Sequence, residues 1–251
     1  MPFTLSHAIA VYPFKKFTPN YLSVSGLVMG SMAPDFEFFL RFTLYGVWGH
    51  TFWGIFLFNL PVSILLCLLF HGVVKRPLIQ HLPTFLYVRF YKYANENWLL
   101  YFKKNVLKVV ISVLLGIFTH FLWDNFTHAP NYVSPFYADF LLENIIIFGK
   151  NLPVYEALQL SSSIVGLAGF LTLLFTVKVD SELWVIERPQ IVAFWFSVLI
   201  VSGVAVVIRY AIGVPAEKPT EQLLVISISG FLTGLTLISW LWQRRNNLHE
   251  N

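Results

Sequence analysis

Apolar runs long enough to cross a bilayer alternate along the chain with short polar stretches. The hydrocarbon core needs about 20 mostly apolar residues in a helix. Five segments meet that length: roughly Thr51–Val74, Leu107–Thr127, Tyr155–Val177, Gln190–Ile212 and Leu223–Trp242. A sixth apolar stretch, Tyr21–Leu44, is interrupted by Pro34, Asp35, Glu37 and Arg41. Such a segment reads as a broken or re-entrant element, which a membrane tolerates where it packs against protein or lines a cavity. Between the first two clear spans, Pro77–Tyr101 is aromatic and basic, as expected of a segment lying along the interface. The pattern predicts an all-α, polytopic membrane helical bundle with about five transmembrane helices plus an N-terminal broken or re-entrant helical segment. It forms one integral membrane domain over residues 1–251, with 1–177 carrying the polar core and 178–251 supplying two further spans.

Composition strengthens this reading. Only 12% of the 251 residues are charged and 57% are hydrophobic, whereas soluble domains carry about 25% charged residues. The mean hydropathy is +0.67. A single cysteine, Cys67, excludes an intramolecular disulfide or a thiolate metal site. The N-terminus makes a poor secretory signal, because Lys15 and Lys16 follow its apolar part instead of preceding it. A formal charge of +4 invites nucleic acid as a partner, but the basic residues sit in loops beside apolar spans and membrane topology accounts for them.

Those loops set an expected orientation. Lys75, Arg76, Arg89, Lys92, Lys103, Lys104 and Lys108 face one acid, Glu96, which puts their loop in the cytoplasm. Alternation then places 178–189 inside, 213–221 outside, and the tail with Arg244 and Arg245 inside. His50, His120, Asp124 and His128 consequently gather toward the non-cytoplasmic face. His7 and Asp35 join them if 21–44 re-enters.

The polar residues inside the apolar runs carry the chemistry. In "GIFTHFLWDNFTHAP", His120, Asp124 and His128 recur every four residues and therefore share one helix stripe. A carboxylate at the centre of a bilayer costs about 2.5–3.5 kcal/mol or more, so it faces a partner inside the bundle. Either His120 and Asp124 form a hydrogen-bonded pair, with His128 at the interface, or the stripe ligates a divalent cation. "SMAPDFEFFLR" adds Asp35 and Glu37, which also suit a helix N-cap, its first turn and an i+4 pair with Arg41. "GVWGHTFWGIF" adds His50 at the mouth of a span, and "TLSHAIA" adds His7, with Thr4 or Ser6 as a possible cap. His71, His81 and His249 lie at a span end, in the basic loop and in the tail, and stay outside the set.

At these residues the chain resembles a bacterial family known as domain of unknown function 4184. The resemblance runs through "TLSHAIAVYPF", "LVMGSMAPDFEFF", "HTFWGIFLFNLPVSILLCLLFHGVVKRPL", "GIFTHFLWDNFTH" and "LPVYEALQLSSSIVGL". More loosely, the pattern is similar to LexA-regulated inner-membrane metal-dependent hydrolases, through Ser6-His7, Pro34-Asp35, His50-Thr51, and Thr119-His120 with Asp124 and Thr127. Those in turn are similar to zinc-dependent phospholipase C and P1-type nucleases. Two departures stand out: Glu37 replaces a second aspartate, and the serine of a "THS" element is absent.

The resemblance implies a multi-pass protein of the inner (cytoplasmic) membrane that acts as a metal-dependent hydrolase on a phosphoester, such as a phospholipid head group. His7, Asp35, His50, His120 and Asp124 would hold one zinc or similar divalent ion, or two with Asp35 or Asp124 as a bridge; Asp35, Glu37 and His128 would be the catalytic candidates, with His128 a general acid or a further ligand. Gln159, Ser161–Ser163 and Arg209 are possible contacts for the bound ester. The other expectation is a non-enzymatic transporter, or a lipid-binding or assembly protein, using the same cluster as an ion or proton path.

Overall fold

The computed structural model describes residues 4–18, 20–129, 138–147, 149–179 and 190–249. Most of the loop expected inside, 180–189, lies outside them. In chain order the helices are α1 (Leu5–Ala10), α2 (Tyr12–Phe17), α3 (Val24–Arg41), α4 (Phe52–Gln80), α5 (Thr84–Ala94), α6 (Trp98–Lys104), α7 (Val106–Thr127) and α8 (Ala138–Leu142). A two-stranded antiparallel hairpin, β1 (Asn144–Ile147) and β2 (Lys150–Pro153), precedes α9 (Val154–Thr176), α10 (Gln190–Ile212) and α11 (Pro219–His249). Among the described residues, five helices are long and apolar enough to cross a membrane: α4, α7, α9, α10 and residues Pro219–Arg245 of α11. Each overlaps one of the five expected spans. The bend at the N-terminus falls at Val11, between α1 and α2. The 21–44 stretch is a helix that runs through Pro34.

Contacts divide the chain into two compact units. The first holds the described residues of Met1–Asp35, Trp48–Ile64 and Asn105–Thr176. Within it, α1 packs on α7 and α9, and glycines let backbones meet. A Cβ on Gly30 would collide with the Val113 carbonyl, and one on Gly116 with the Leu27 carbonyl and the Ser31 nitrogen. A Cβ on Gly166 would strike Ser6. Small residues at such crossings are the usual device of membrane helices, where apolar burial alone gives little attraction. Polar bonds reinforce the approach: Ser23 N–H donates to Ser112 Oγ at 2.8 Å, and Ser63 Oγ to the Met29 carbonyl at 3.4 Å. Val11, Leu22 and Leu27 form the apolar core beside them.

α4 is not a uniform helix. Ile55–Asn59 and Phe70–Val74 are π-helical, and each precedes a proline, Pro61 and Pro77, that has no N–H for the carbonyl four residues back. In the first unit, Asn59 Nδ2 donates to the Gly49 carbonyl at 2.7 Å and ties down the loop that carries His50.

The second unit holds the described residues of Phe36–Val47, Leu65–Lys104 and Val177–Asn251. Phe194, Val198, Leu235 and Val74 form its core, with α10 packed along α11. Val73 would lose its helical partner to Pro77, and Gln243 Nε2 supplies one at 3.1 Å. Arg209 donates to the Phe42 carbonyl at 3.0 Å and to that of Gly213, so its guanidinium closes the end of α3. His71 stacks on Trp98, and His81 on Phe194, in keeping with their omission from the polar set.

The glycine crossings yield a direct test. Gly116→Ala places a methyl group against backbone, and overpacking of this kind costs about 1–3 kcal/mol. Its apparent melting temperature in detergent should fall clearly below that of the parent. Gly203→Ala, where nothing lies within 4 Å, should match or exceed the parent.

Candidate metal centre

The first unit brings six of the seven singled-out residues together. α1 supplies His7, α3 supplies Asp35, the loop before α4 supplies His50, and α7 with its C-cap supplies His120, Asp124 and His128. His120 is fully buried, His7 and Asp35 nearly so, while the side chains of His50 and His128 are 37% and 39% exposed. The approach from outside is therefore over His50 and His128.

Geometry begins with His120. Its Nδ1 lies 2.8 Å from the Ser31 carbonyl, a group that can only accept, so Nδ1 carries the proton. In the neutral ring, Nε2 is then a lone pair. That lone pair points at Asp124 Oδ2, 3.2 Å away, and at His50 Nε2, 3.3 Å away. His50 Nε2 closes the triangle at 3.5 Å from Asp124 Oδ2. Asp35 Oδ1 lies above it, 3.7 Å from His50 Nε2 and 4.0 Å from His120 Nε2. Its other oxygen accepts a 2.8 Å bond from the Thr4 hydroxyl.

Asp124 Oδ1 faces the opposite way, 3.5 Å from His7 Nε2 and 3.5 Å from His128 Nδ1. The His7 ring stacks on that of His120 with centroids 4.1 Å apart. Burial pushes the His7 imidazole down to about 4, so it is neutral at pH 7 and keeps a lone pair. Both ring nitrogens of His7 and Asp124 Oδ1 are buried with no hydrogen-bond partner among the described residues. Unmatched buried polar atoms each cost about 1–3 kcal/mol.

The donor set fits a divalent cation. Ligand bonds of about 2.0–2.1 Å in a tetrahedral zinc site put neighbouring ligand atoms about 3.3–3.4 Å apart. The His50–His120–Asp124 triangle has edges of 3.2, 3.3 and 3.5 Å. A second group, one ligand atom each from His7, Asp35 and His120, lies within 4.8 Å throughout. A cation among lone pairs and carboxylate oxygens would satisfy atoms that otherwise repel one another.

The remaining candidates have other tasks. Glu37 belongs to the second unit, where Oε1 accepts from Arg41 Nε at 2.9 Å and from the Val47 N–H at 2.7 Å. It serves there as the anchor of the turn after α3. Ser161, Ser162 and Ser163 bond carbonyls of their own helix. The side-chain amide of Gln159 meets His128 Nε2 at 3.4 Å. Thr4 makes no capping bond; its hydroxyl orients Asp35 instead. That role and the Ser31 carbonyl are what residue types alone do not reveal.

The model of a family described as domain of unknown function (DUF4184) matches residues 1–240, and the chain belongs to that family. No curated protein and no solved structure matches it.

The Thr4–Asp35 bond is open to test. Thr4→Val keeps the volume and removes the hydroxyl, and a bond to a charged group contributes about 1.5–3 kcal/mol. The melting temperature in detergent should drop, while Thr172→Val, exposed and bonded only to its own helix, should leave it unchanged.

Proposed function

We propose that this family member is a membrane-embedded, divalent-metal-dependent hydrolase of phosphoesters, with a lipid head group as the fitting substrate. The observation that carries the reading is the triangle of His50 Nε2, His120 Nε2 and Asp124 Oδ2, whose edges of 3.2–3.5 Å are those of a zinc tetrahedron. Asp35 Oδ1 stands beside this triangle, 3.7 Å from His50 Nε2 and 4.0 Å from His120 Nε2, and the three ligands would leave a fourth position for a water. Two carboxylates balance one divalent charge, which keeps the buried assembly neutral overall. Imidazole and carboxylate together favour zinc among the common ions. The likeness drawn from the sequence to LexA-regulated membrane hydrolases and zinc-dependent phospholipase C is a further reason for this reading.

When bound, such an ion supplies Lewis-acid chemistry, activating water and offsetting charge on a phosphoryl group. The chain's own residues set the geometry. The Ser31 carbonyl holds His120 in one tautomer, and the Thr4 hydroxyl turns Asp35 so that Oδ1 faces the centre, where it can orient a water and accept its proton. His50 and His128 form the exposed side. Trp48, Phe52 and Trp53 around His50, and Trp123 and Phe126 on α7, are all exposed. Tryptophan favours the depth of the head groups, so an apolar rim beside a polar centre suits an ester with an acyl tail. By the loop charges, this end of the spans faces away from the cytoplasm.

One observation favours the second reading, a transporter or assembly protein with a proton path. The 3.3 Å approach of His50 Nε2 to His120 Nε2 is also the geometry of a shared proton, and intramembrane His–Asp chains carry protons elsewhere.

Metal analysis separates the two. Purified in detergent without chelator, the protein should retain at least one zinc-class ion per chain, measured by plasma mass spectrometry. His120→Ala combined with Asp124→Ala should abolish it, and with it phosphate-ester release from phospholipid in mixed micelles, by at least about 100-fold. A folded, metal-free parent protein would overturn the hydrolase in favour of the proton path.

A further inference from the structure

The stretch between α4 and α7 takes no part in the polar cluster, yet its two short helices are built to one pattern. α6 is held from one side. Trp98 is buried, stacked on His71 of α4 with centroids 4.8 Å apart and on Phe102 one turn along at 5.3 Å. Residues 98, 101 and 102 fall within about 100° of the helix surface, so 99, 100, 103 and 104 face the other way. Leu99 and Leu100 are accordingly 49% and 50% exposed, and Lys103 and Lys104 are exposed beside them.

α5 has no buried residue. Phe85, Arg89 and Lys92 stand at i, i+4 and i+7 and share one stripe, along which Arg89 Nη1 donates to the Phe85 carbonyl at 2.6 Å. Glu96, the one acid between α4 and α7, lies at the elbow of the two helices. There the Lys75 ammonium donates to its backbone carbonyl at 2.8 Å. Among the described residues, Lys92, Lys103 and Lys104 form no ion pair.

Half-exposed leucines beside lysines without an acidic partner suit neither a packed core nor bulk water. Their place in the chain resolves the mismatch. α5 begins four residues after α4 ends, and Lys104 stands two residues before α7 begins its span, so both helices lie at head-group depth. A lysine stem covers apolar surface while its ammonium seeks polar groups. Basic clusters next to a span attract anionic lipid, with about a fivefold gain for each Lys or Arg. From this we infer that α5 and α6 form a binding surface for anionic phospholipid. Lys92, Lys103 and Lys104 meet the head-group phosphates, and Phe85, Leu99 and Leu100 enter the first acyl carbons. A nucleic acid or an acidic protein would match the charge but leave the apolar side chains in water. A second copy brings the same positive charge and is repelled. The inference stands apart from the metal reading, since every residue of the surface belongs to the second unit.

Full-length protein in detergent, offered phosphatidylglycerol and phosphatidylcholine in equal amounts, tests the inference by native mass spectrometry of the retained lipid. The parent should prefer phosphatidylglycerol by at least about tenfold. Lys92→Gln, Lys103→Gln and Lys104→Gln combined should cut that preference by at least about fivefold, whereas Lys→Arg at the same three positions should keep it. Lys150→Gln with Lys178→Gln, exposed lysines elsewhere, should match the parent. At about 1 M salt, where the Debye length is about 3 Å, the preference should collapse. Leu99→Ser with Leu100→Ser should lower retention of both lipids alike. Equal retention of the two lipids by the parent, or an undiminished preference in the triple glutamine variant, overturns the inference. So does complete displacement of phosphatidylglycerol by a short RNA, which would assign the face to nucleic acid.

Discussion

A single hydrogen bond organises the polar heart of this protein. The Ser31 carbonyl holds a proton on His120 Nδ1, and in the neutral ring the opposite nitrogen then presents a lone pair to its neighbours. Were the ring free to choose its tautomer, the cluster could relax as an ordinary histidine–aspartate pair. Held as it is, it presents lone pairs and negative oxygen to a common point. The Ser31 carbonyl lies three residues before Pro34, whose missing N–H leaves the carbonyl of Gly30 without its helical donor.

That bond is possible only because α3 and α7 come unusually close. Gly26, Gly30 and Gly116 remove the side chains that would hold the backbones apart, and the Ser23–Ser112 bond fixes the register. The glycines and the clustered polar residues are therefore parts of one device, spaced along the same two helices. Gly116 precedes His120 by one turn and Gly30 precedes Asp35 by little more. On the other side, Gly166 admits α1 against α9, which sets His7 over the His120 ring. Packing in the lipid layer and chemistry at the cluster come from the same residues, and the first cannot drift without disturbing the second.

Much of this was legible from residue order. Five spans follow from runs of apolar residues, and Gln190–Ile212 agrees with its helix at both ends. The four-residue spacing of His120, Asp124 and His128 puts them on one face. His7, Asp35 and His50 could be singled out because polar groups in apolar surroundings need partners. What residue order hid was backbone and remote pairing. A carbonyl has no letter, so the hold of Ser31 on His120 is invisible. Thr4 looked like a helix cap because threonine often is one, yet a carboxylate from α3 is the stronger acceptor nearby. Glu37 looked like a second acid for the centre because it follows Asp35 so closely, but two residues along a helix turn a side chain by about 200°, and Arg41 and the Val47 N–H take it up. Arg209 likewise caps α3 where a phosphate contact was conceivable. The two π-helical stretches of α4 could be located only once the prolines' orphaned carbonyls were seen in place.

The residues of the cluster are also made at very different times. His7, Asp35 and His50 leave the ribosome early, while His120 and Asp124 follow about 90 residues after Asp35, which at about 5–20 residues per second is on the order of 5–20 s. Throughout that interval the Asp35 carboxylate lacks the His120 imidazole that lies 4.0 Å from it in the finished fold. Thr4, already synthesised, is the partner available to Asp35 from the start, and its hydroxyl is the one that the carboxylate keeps in the finished fold. That bond draws on no residue made after Asp35, whereas the rest of the cluster closes only when α7 is in place.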